Sequence, residues 1–328
     1  MRAVVCKALG DESGLTIEDI APPALPAQGV RIRVAAAGVN FADGLLIAGK
    51  YQEKQTPPFT PGFEVAGEVI EVAAGVETCK PGDRVMAILD AGGFAEQAIA
   101  RASDVYVIPD AMDFVTAAGF PVVYGTSHHG LIAKAKLTAG ETLLVHGAAG
   151  GVGLTAVEIG AALGATVIAT AGGADKLAVA TAHGAAHGID YKSEDIRERV
   201  KALTHGRGAD VVYDPVGGAV FDASLRCTAA DGRILVIGFA SGGVPQIPAN
   251  ILLVKNITVI GYYWGAYRRL DPDGLRRTYA QLLDWYSAGK LKPHVSQTLP
   301  LEQAGAAIGL LKSRSATGKV VLTIESSI

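Results

Sequence analysis

Apolar positions along this chain follow two periods, and the change between them divides it. Up to about residue 122 they recur every second residue between turn signals. Val30-Arg31-Ile32-Arg33-Val34 reads as a half-buried strand, and residues 63–72 and 83–89 read the same way, punctuated by Pro61-Gly62, Gly75 and Pro81-Gly82-Asp83. From about residue 142, short apolar runs alternate with helical stretches. Strands are predicted at 143–145, 166–170, 187–190, 210–214, 233–238 and 257–261, with helices near 151–163, 175–183, 193–204 and 218–225. Six strands with intervening helices predict a doubly wound parallel sheet. The last section carries an amphipathic helix near 273–287, a short segment, a helix near 301–312 and a terminal strand at 318–323. The expected fold is therefore α/β, a doubly wound Rossmann-type sheet inserted in a β-rich domain. Its expected units are 1–122, 123–263 and 264–328, the third completing the first.

The most specific local signal is Leu143-Leu144-Val145-His146-Gly147-Ala148-Ala149-Gly150-Gly151-Val152-Gly153. An apolar strand enters a glycine-rich turn and then a helix, the arrangement that brings backbone N–H groups and the positive end of a helix dipole to a pyrophosphate. Gly150 allows close backbone approach and Gly153 allows tight packing of helix on strand. Ala148 stands where the first glycine is usual, so the pattern is A-x-G-x-x-G. Ala149, Gly150, Gly151, Val152 and Gly153 are the expected phosphate-binding residues.

The second strand ends in Ala169-Thr170-Ala171-Gly172-Gly173 and carries no acid. An NAD-preferring site has Asp or Glu there for the ribose hydroxyls, so nothing at this position repels a 2′-phosphate. Lys176 follows at the start of the next helix and Tyr191 follows the third strand. With Gly172 they form the expected adenosine-phosphate site, and NADPH is the expected cofactor.

Composition narrows the partners. The chain has 328 residues, is 49% hydrophobic, and contains 41 glycines, which suits a large α/β core with many turns. A formal net charge of −3 and no basic run give no electrostatic case for nucleic acid or an anionic membrane. No apolar run approaches the roughly 18 residues of a membrane span. The sequence opens directly on strand-like residues without a signal-peptide core, and Cys6, Cys79 and Cys227 lack metal-type spacing. A cytoplasmic protein with reduced thiols is expected.

Several segments together resemble the zinc-free quinone oxidoreductases of the medium-chain dehydrogenase/reductase superfamily. They are Gly38-Val39-Asn40-Phe41-Ala42-Asp43, Pro61-Gly62-Phe63-Glu64-Val65-Ala66-Gly67, Lys80-Pro81-Gly82-Asp83-Arg84-Val85, Gly92-Gly93-Phe94-Ala95-Glu96, Tyr124-Gly125-Thr126, the glycine loop, and Thr317-Gly318-Lys319-Val320-Val321. The resemblance spans essentially the whole chain and implies a GroES-like catalytic domain around the nucleotide domain. It also implies a homodimer formed through the last strand of the nucleotide sheet. The zinc enzymes of the superfamily have a ligating cysteine where this chain resembles them at Asn40, and their Gly-His-Glu appears as Gly62-Phe63-Glu64. A phenyl ring cannot bind zinc and a neutral amide is a poor substitute for thiolate, so no metal is expected.

Without a Lewis acid, such a site suits acceptors that take hydride readily, namely quinones and enones. The resemblance implies Tyr51 as hydroxyl donor and Asn40 as donor to the substrate or contact to the nicotinamide ribose. Asn40 holding a loop backbone and Tyr51 as an exposed loop residue remain open beside these roles. It also sets Thr126, Phe239, Ser241, Tyr263, Trp264 and Lys319 against the cofactor. The residues alone equally allow Thr126 as a helix cap, Tyr263 and Trp264 as packing, and Lys319 as a surface lysine. His128 and His129 adjoin on a predicted helix and carry no hydrolase spacing. Two other functions stay open: an NADPH-binding sensor or structural protein without turnover, and an enoyl-CoA-type alkene reductase using Arg268, Arg269, Arg276 and Arg277.

Overall fold

The computed structural model describes residues 1–325 and divides into two compact units, Met1–Val122 with Pro293–Ile328, and Val123–Lys292. The second boundary differs from the expected one. Residues 264–292 belong to the nucleotide unit, because the helix Pro272–Ser287 and the segment after it pack inside it. The Tyr279 hydroxyl lies 2.2 Å from where a Cβ on Gly125 would sit, Gln281 bonds His128, and the Lys292 N–H reaches Glu158.

In the nucleotide unit six parallel strands form one sheet in the order His187–Asp190, Thr166–Ala171, Thr142–Val145, Ala209–Asp214, Thr228–Val236, Thr258–Gly261. Numbered by position in the chain this is 3-2-1-4-5-6, the doubly wound order, and its switch point lies between Thr142–Val145 and Ala209–Asp214. The strands are near-continuous apolar runs because helices cover both faces. Leu144, Ile168, Val212 and Ile234 are buried together in the core beneath them. The apolar run predicts a fifth strand from residue 233; the strand begins at Thr228 and passes through Asp231, whose φ of 59° marks a local irregularity.

The other unit holds a sheet of the strands Val295–Pro300, Lys319–Thr323, Gly29–Val39, Glu64–Val72, Arg84–Ile88 and Val105–Val107, in that order, with Gln97–Arg101 also pairing Gly29–Val39. A separate hairpin joins Arg2–Cys6 to Leu15–Asp19. Alternation along Gly29–Val39 buries Val30, Ile32 and Val34 in a core with Val65, Val85 and Phe94. Register fixes what meets at the strand ends. Val320 pairs with Val39 and Glu64 pairs with Gly38, so Lys319, Asn40 and Glu64 converge.

Candidate active site

Asn40 leaves the strand Gly29–Val39 and precedes the short helix Phe41–Ile47. Its N–H donates to Asp43 Oδ2 at 2.7 Å, while Gly62 N–H donates to Asp43 Oδ1 at 3.1 Å. Both acidic oxygens of Asp43 thus tie the strand-to-helix turn to the loop before Phe63. Burial pushes this carboxyl up to about 7, against the downward pull of the two N–H groups and Lys319.

The side chain of Asn40 is buried between charges. Its Nδ2 donates to Glu64 Oε1 at 2.8 Å, and its Oδ1 accepts from Lys319 Nζ at 2.8 Å. Lys319 Nζ also donates to Glu64 Oε1 at 2.7 Å and to the Val39 carbonyl at 2.8 Å, and Glu64 Oε2 accepts the Val122 N–H at 2.7 Å. Gly38 makes room for this carboxylate, since a Cβ there would lie 2.5 Å from Glu64 Oε1. Lys319 is therefore no surface lysine: its side chain is 7% exposed. Strand pairing buries it, and that pairing is invisible in the local sequence. Tyr51 lies beside Phe63, the residue that precedes Glu64, with the two rings 5.1 Å apart at a tilt of 51°.

These residues do not fit a zinc ion. Phe63 offers no lone pair, and the oxygens around Asn40 and Glu64 are already bonded to an ammonium. Among the described residues no group of three or more His, Cys, Asp or Glu could hold a metal.

In the nucleotide unit the predicted cofactor residues other than Thr126 follow the carboxyl ends of the parallel strands, where such sheets bind ligands. The loop after Thr142–Val145 turns at Gly147, with φ of 57°, and the helix Gly151–Ala162 begins after Gly150, which brings no capping side chain to the first turn. A Cβ on Gly153 would lie 2.2 Å from the Gly147 carbonyl, so loop and helix meet without space for any side chain. That cradle of Ala149 to Gly153 fits a pyrophosphate.

Behind the loop His146 is fully buried. Ser224 donates its hydroxyl hydrogen to the Val220 carbonyl and therefore accepts from His146 Nε2, leaving Nδ1 to accept from Thr170. Burial lowers the His146 pKa, so the ring is neutral and serves as a strut.

At the end of the second strand a Cβ on Gly172 would meet Tyr191 Oη at 2.7 Å and Lys192 Cε at 3.0 Å. Gly172 and Tyr191 are brought together as expected. Lys192 was not singled out from sequence, because only the return of the third strand brings it beside Gly172. Lys176 stands in the first turn of the helix Ala174–Ala182 next to Asp175, an acid whose charge suits that end of the helix dipole. Asp190 is a further acid near this strand end, but its Oδ1 accepts the N–H groups of Gly173 and Lys192.

Phe239 and Ser241 adjoin Gly217 and Gly218. Ser241 N–H donates to the Val216 carbonyl, and a Cβ on Gly217 would lie 3.0 Å from Phe239 Cδ1. A Cβ on Gly147 would lie 3.4 Å from Val216 Cγ2, so this pair of loops borders the phosphate loop. Thr126 lies inside the helix Pro121–His129 rather than at its cap, and its carbonyl accepts from the Tyr262 hydroxyl at 3.3 Å. Trp264 is buried against the same helix, its Cζ2 2.8 Å from a Cβ placed on Gly125, and Tyr263 precedes it half-buried.

Comparison with known proteins finds relatives along nearly the whole chain. Residues 26–110 match the alcohol dehydrogenase GroES-like domain and residues 151–288 match the zinc-binding dehydrogenase family. A quinone oxidoreductase-like protein 2 homolog from Nematostella vectensis is 42% identical over 327 residues, covering 99% of this chain and 89% of that protein. Quinone oxidoreductase-like protein 2 of Rattus norvegicus is 39% identical, with 99% and 92% covered. The crystal structure of Escherichia coli quinone oxidoreductase complexed with NADPH superposes with a TM-score of 0.91 at 31% identity, covering 98% of this chain and all of that one. With Asn40 and Phe63 where zinc ligands would stand, and relatives of this kind along its whole length, the chain belongs to the zinc-free, quinone oxidoreductase-like branch of the medium-chain dehydrogenase/reductase family.

Proposed function

We propose that this oxidoreductase binds NADPH and passes hydride to a quinone or another activated acceptor such as an enone, without a metal. The glycine cradle at the switch point, closed to any side chain at Gly153, carries this reading. Bound there, NADPH supplies the hydride from C4 of its nicotinamide. Lys176, Tyr191 and Lys192 are the groups that would hold its 2′-phosphate, and Gly172 lets Tyr191 and Lys192 approach that strand end. Phe239, Ser241, Thr126, Tyr263, Trp264 and Lys319 belong, in this reading, to the wider cofactor environment.

The chain's own chemistry is then proximity and hydrogen bonding. Tyr51 and Phe63 offer aromatic faces suited to a planar acceptor. The Tyr51 hydroxyl and the Asn40 amide are the donors to the oxygen that gains negative charge. One Asn40 Nδ2 hydrogen is bonded to Glu64; the other has only a long 3.4 Å contact to the Gly38 carbonyl and remains able to bond a ligand. Water or Tyr51 supplies the proton.

We further propose a homodimer. The strand Thr258–Gly261 is at the end of its sheet, and the helix Ala249–Lys255 that precedes it in the chain buries none of its residues, with Leu253 76% and Val254 77% exposed. A reducing compartment such as the cytoplasm suits three free, buried cysteines, and no helix among the described residues is long and apolar enough to cross a membrane.

The test is anaerobic loss of nicotinamide absorbance with a panel of quinones and enones. Acceptor-dependent oxidation of NADPH, at least ten times more efficient than that of NADH, is expected. Tight NADPH binding with no oxidation by any acceptor would contradict it and favour a binding protein.

A further inference from the structure

The interior of the β-rich unit contains an ammonium group surrounded by oxygen. Lys319 Nζ has three hydrogens and three short acceptors: the Val39 carbonyl, Asn40 Oδ1 and Glu64 Oε1. It has no hydrogen left for a ligand. What it acts on is the Asn40 amide. A primary amide has nearly the same shape either way round, so something must decide which end faces which neighbour. Here charge decides. An ammonium bonds only to an acceptor and a carboxylate only to a donor, so Oδ1 is held toward Lys319 and Nδ2 toward Glu64.

The three groups close a ring, because Glu64 Oε1 accepts from both Asn40 Nδ2 and Lys319 Nζ. The surroundings keep that ring in one arrangement. Val122 N–H fixes the second Glu64 oxygen, and Gly119 lies against the Lys319 stem, 3.2 Å from its Cβ to a Cβ placed on the glycine. Asp43 anchors the Asn40 backbone at the same point. A cation on Oδ1 also draws electron density from the amide, which strengthens Nδ2 as a donor.

We propose that Lys319 is a positioning residue: paired with Glu64, it clamps and polarises the Asn40 amide so that the remaining Nδ2 hydrogen is presented to a ligand oxygen. The proposal deepens the reading above and rests on it for the identity of that ligand. It differs from a purely structural ion pair, which would need only to be neutralised as a pair to become dispensable.

The test compares the parent with Lys319→Met/Glu64→Gln, which removes both charges together and leaves no unpaired buried ion. Two quantities are read. In the 15N-labelled protein without cofactor, solvent exchange of the Asn40 side-chain amide protons, assigned by their loss in Asn40→Asp, should speed at least tenfold. With NADPH and an accepted quinone, kcat should fall at least tenfold while KM for NADPH changes less than threefold. Should the double variant fail to fold by circular dichroism, Lys319→Gln, which retains a donor amide without the charge, replaces it with the same expectations. Unchanged amide exchange, or unchanged kcat in a folded variant, overturns the proposal. If the parent itself turns over no acceptor, the functional reading fails, and the exchange measurement still decides the clamp.

Discussion

At the scale of single residues, the outcome depends on what surrounds a charge. Asn40 was legible from its place in the Asn-Phe-Ala-Asp segment, whereas the burial of Lys319 was not. Its neighbours in sequence are those of any terminal strand, and only the pairing of Val320 with Val39 brings it beside Glu64. Lys176 should discriminate cofactors by charge. Lys176→Ala is expected to weaken NADPH about tenfold, or about 1.4 kcal/mol, with little effect on NADH, in a fluorescence titration. Equal weakening of both would remove it from the 2′-phosphate site. His128 gives a pH test. Burial lowers its pKa from 6.5 to about 4, outweighing its bond to Gln281. An imidazole that stays neutral when folded adds stability above pH 6.5, and this is lost as pH falls through about 4. Asp43, raised to about 7, works in the opposite direction: its contribution is full at low pH and is lost as pH rises through 7. The parent curve mixes the two, so a difference is needed. Between pH 7 and 4, urea denaturation should find that the parent loses about 3 kcal/mol more stability than His128→Gln. Parallel curves for the two proteins would show that His128 titrates alike folded and unfolded.

Elements were legible where periodicity and turn chemistry agreed. The first three strands of the nucleotide sheet and the helix after the glycine loop fall within a few residues of their expected bounds, since apolar runs between glycines leave little else to form. The strand Val295–Pro300 was read only as a short segment. None of its Val-Ser-Gln-Thr-Leu-Pro residues is fully buried, and it is held as an edge by parallel pairing with Lys319–Thr323 rather than by an apolar face of its own. The helix carrying His128 and His129 continues into a π-helical turn over Gly130–Lys134, which no local signal announces. The phosphate loop is the most demanding element. Gly153→Ala puts a methyl 2.2 Å from a backbone carbonyl that has no side-chain freedom to give way. A loss of about 1–3 kcal/mol in stability is expected from calorimetry, with at least a tenfold loss of NADPH affinity. Unchanged affinity would mean that the loop does not hold the pyrophosphate.

For the whole molecule, two-domain organisation could be read from the change in hydrophobic period, but the second boundary could not. The helix Pro272–Ser287 is amphipathic, and amphipathicity alone does not say which core its apolar face joins; Leu275, Tyr279 and Leu282 bury in the nucleotide unit. Self-association belongs to this scale as well. Sedimentation equilibrium should give twice the 33.7 kDa chain mass, and Leu253→Lys/Val254→Lys should shift the equilibrium toward monomer. A parent that stays monomeric at all concentrations would contradict the dimer. The central claim is that this metal-free site transfers hydride from the nicotinamide to an organic acceptor. Its most direct test is a single turnover by stopped flow under anaerobic conditions, after removal of metals with a chelator, using NADPH deuterated in turn on each face of C4. The account predicts full turnover without metal and a primary isotope effect for one face only. Loss of turnover on chelation, or no isotope effect for either face while cofactor is consumed in the transient, would contradict it.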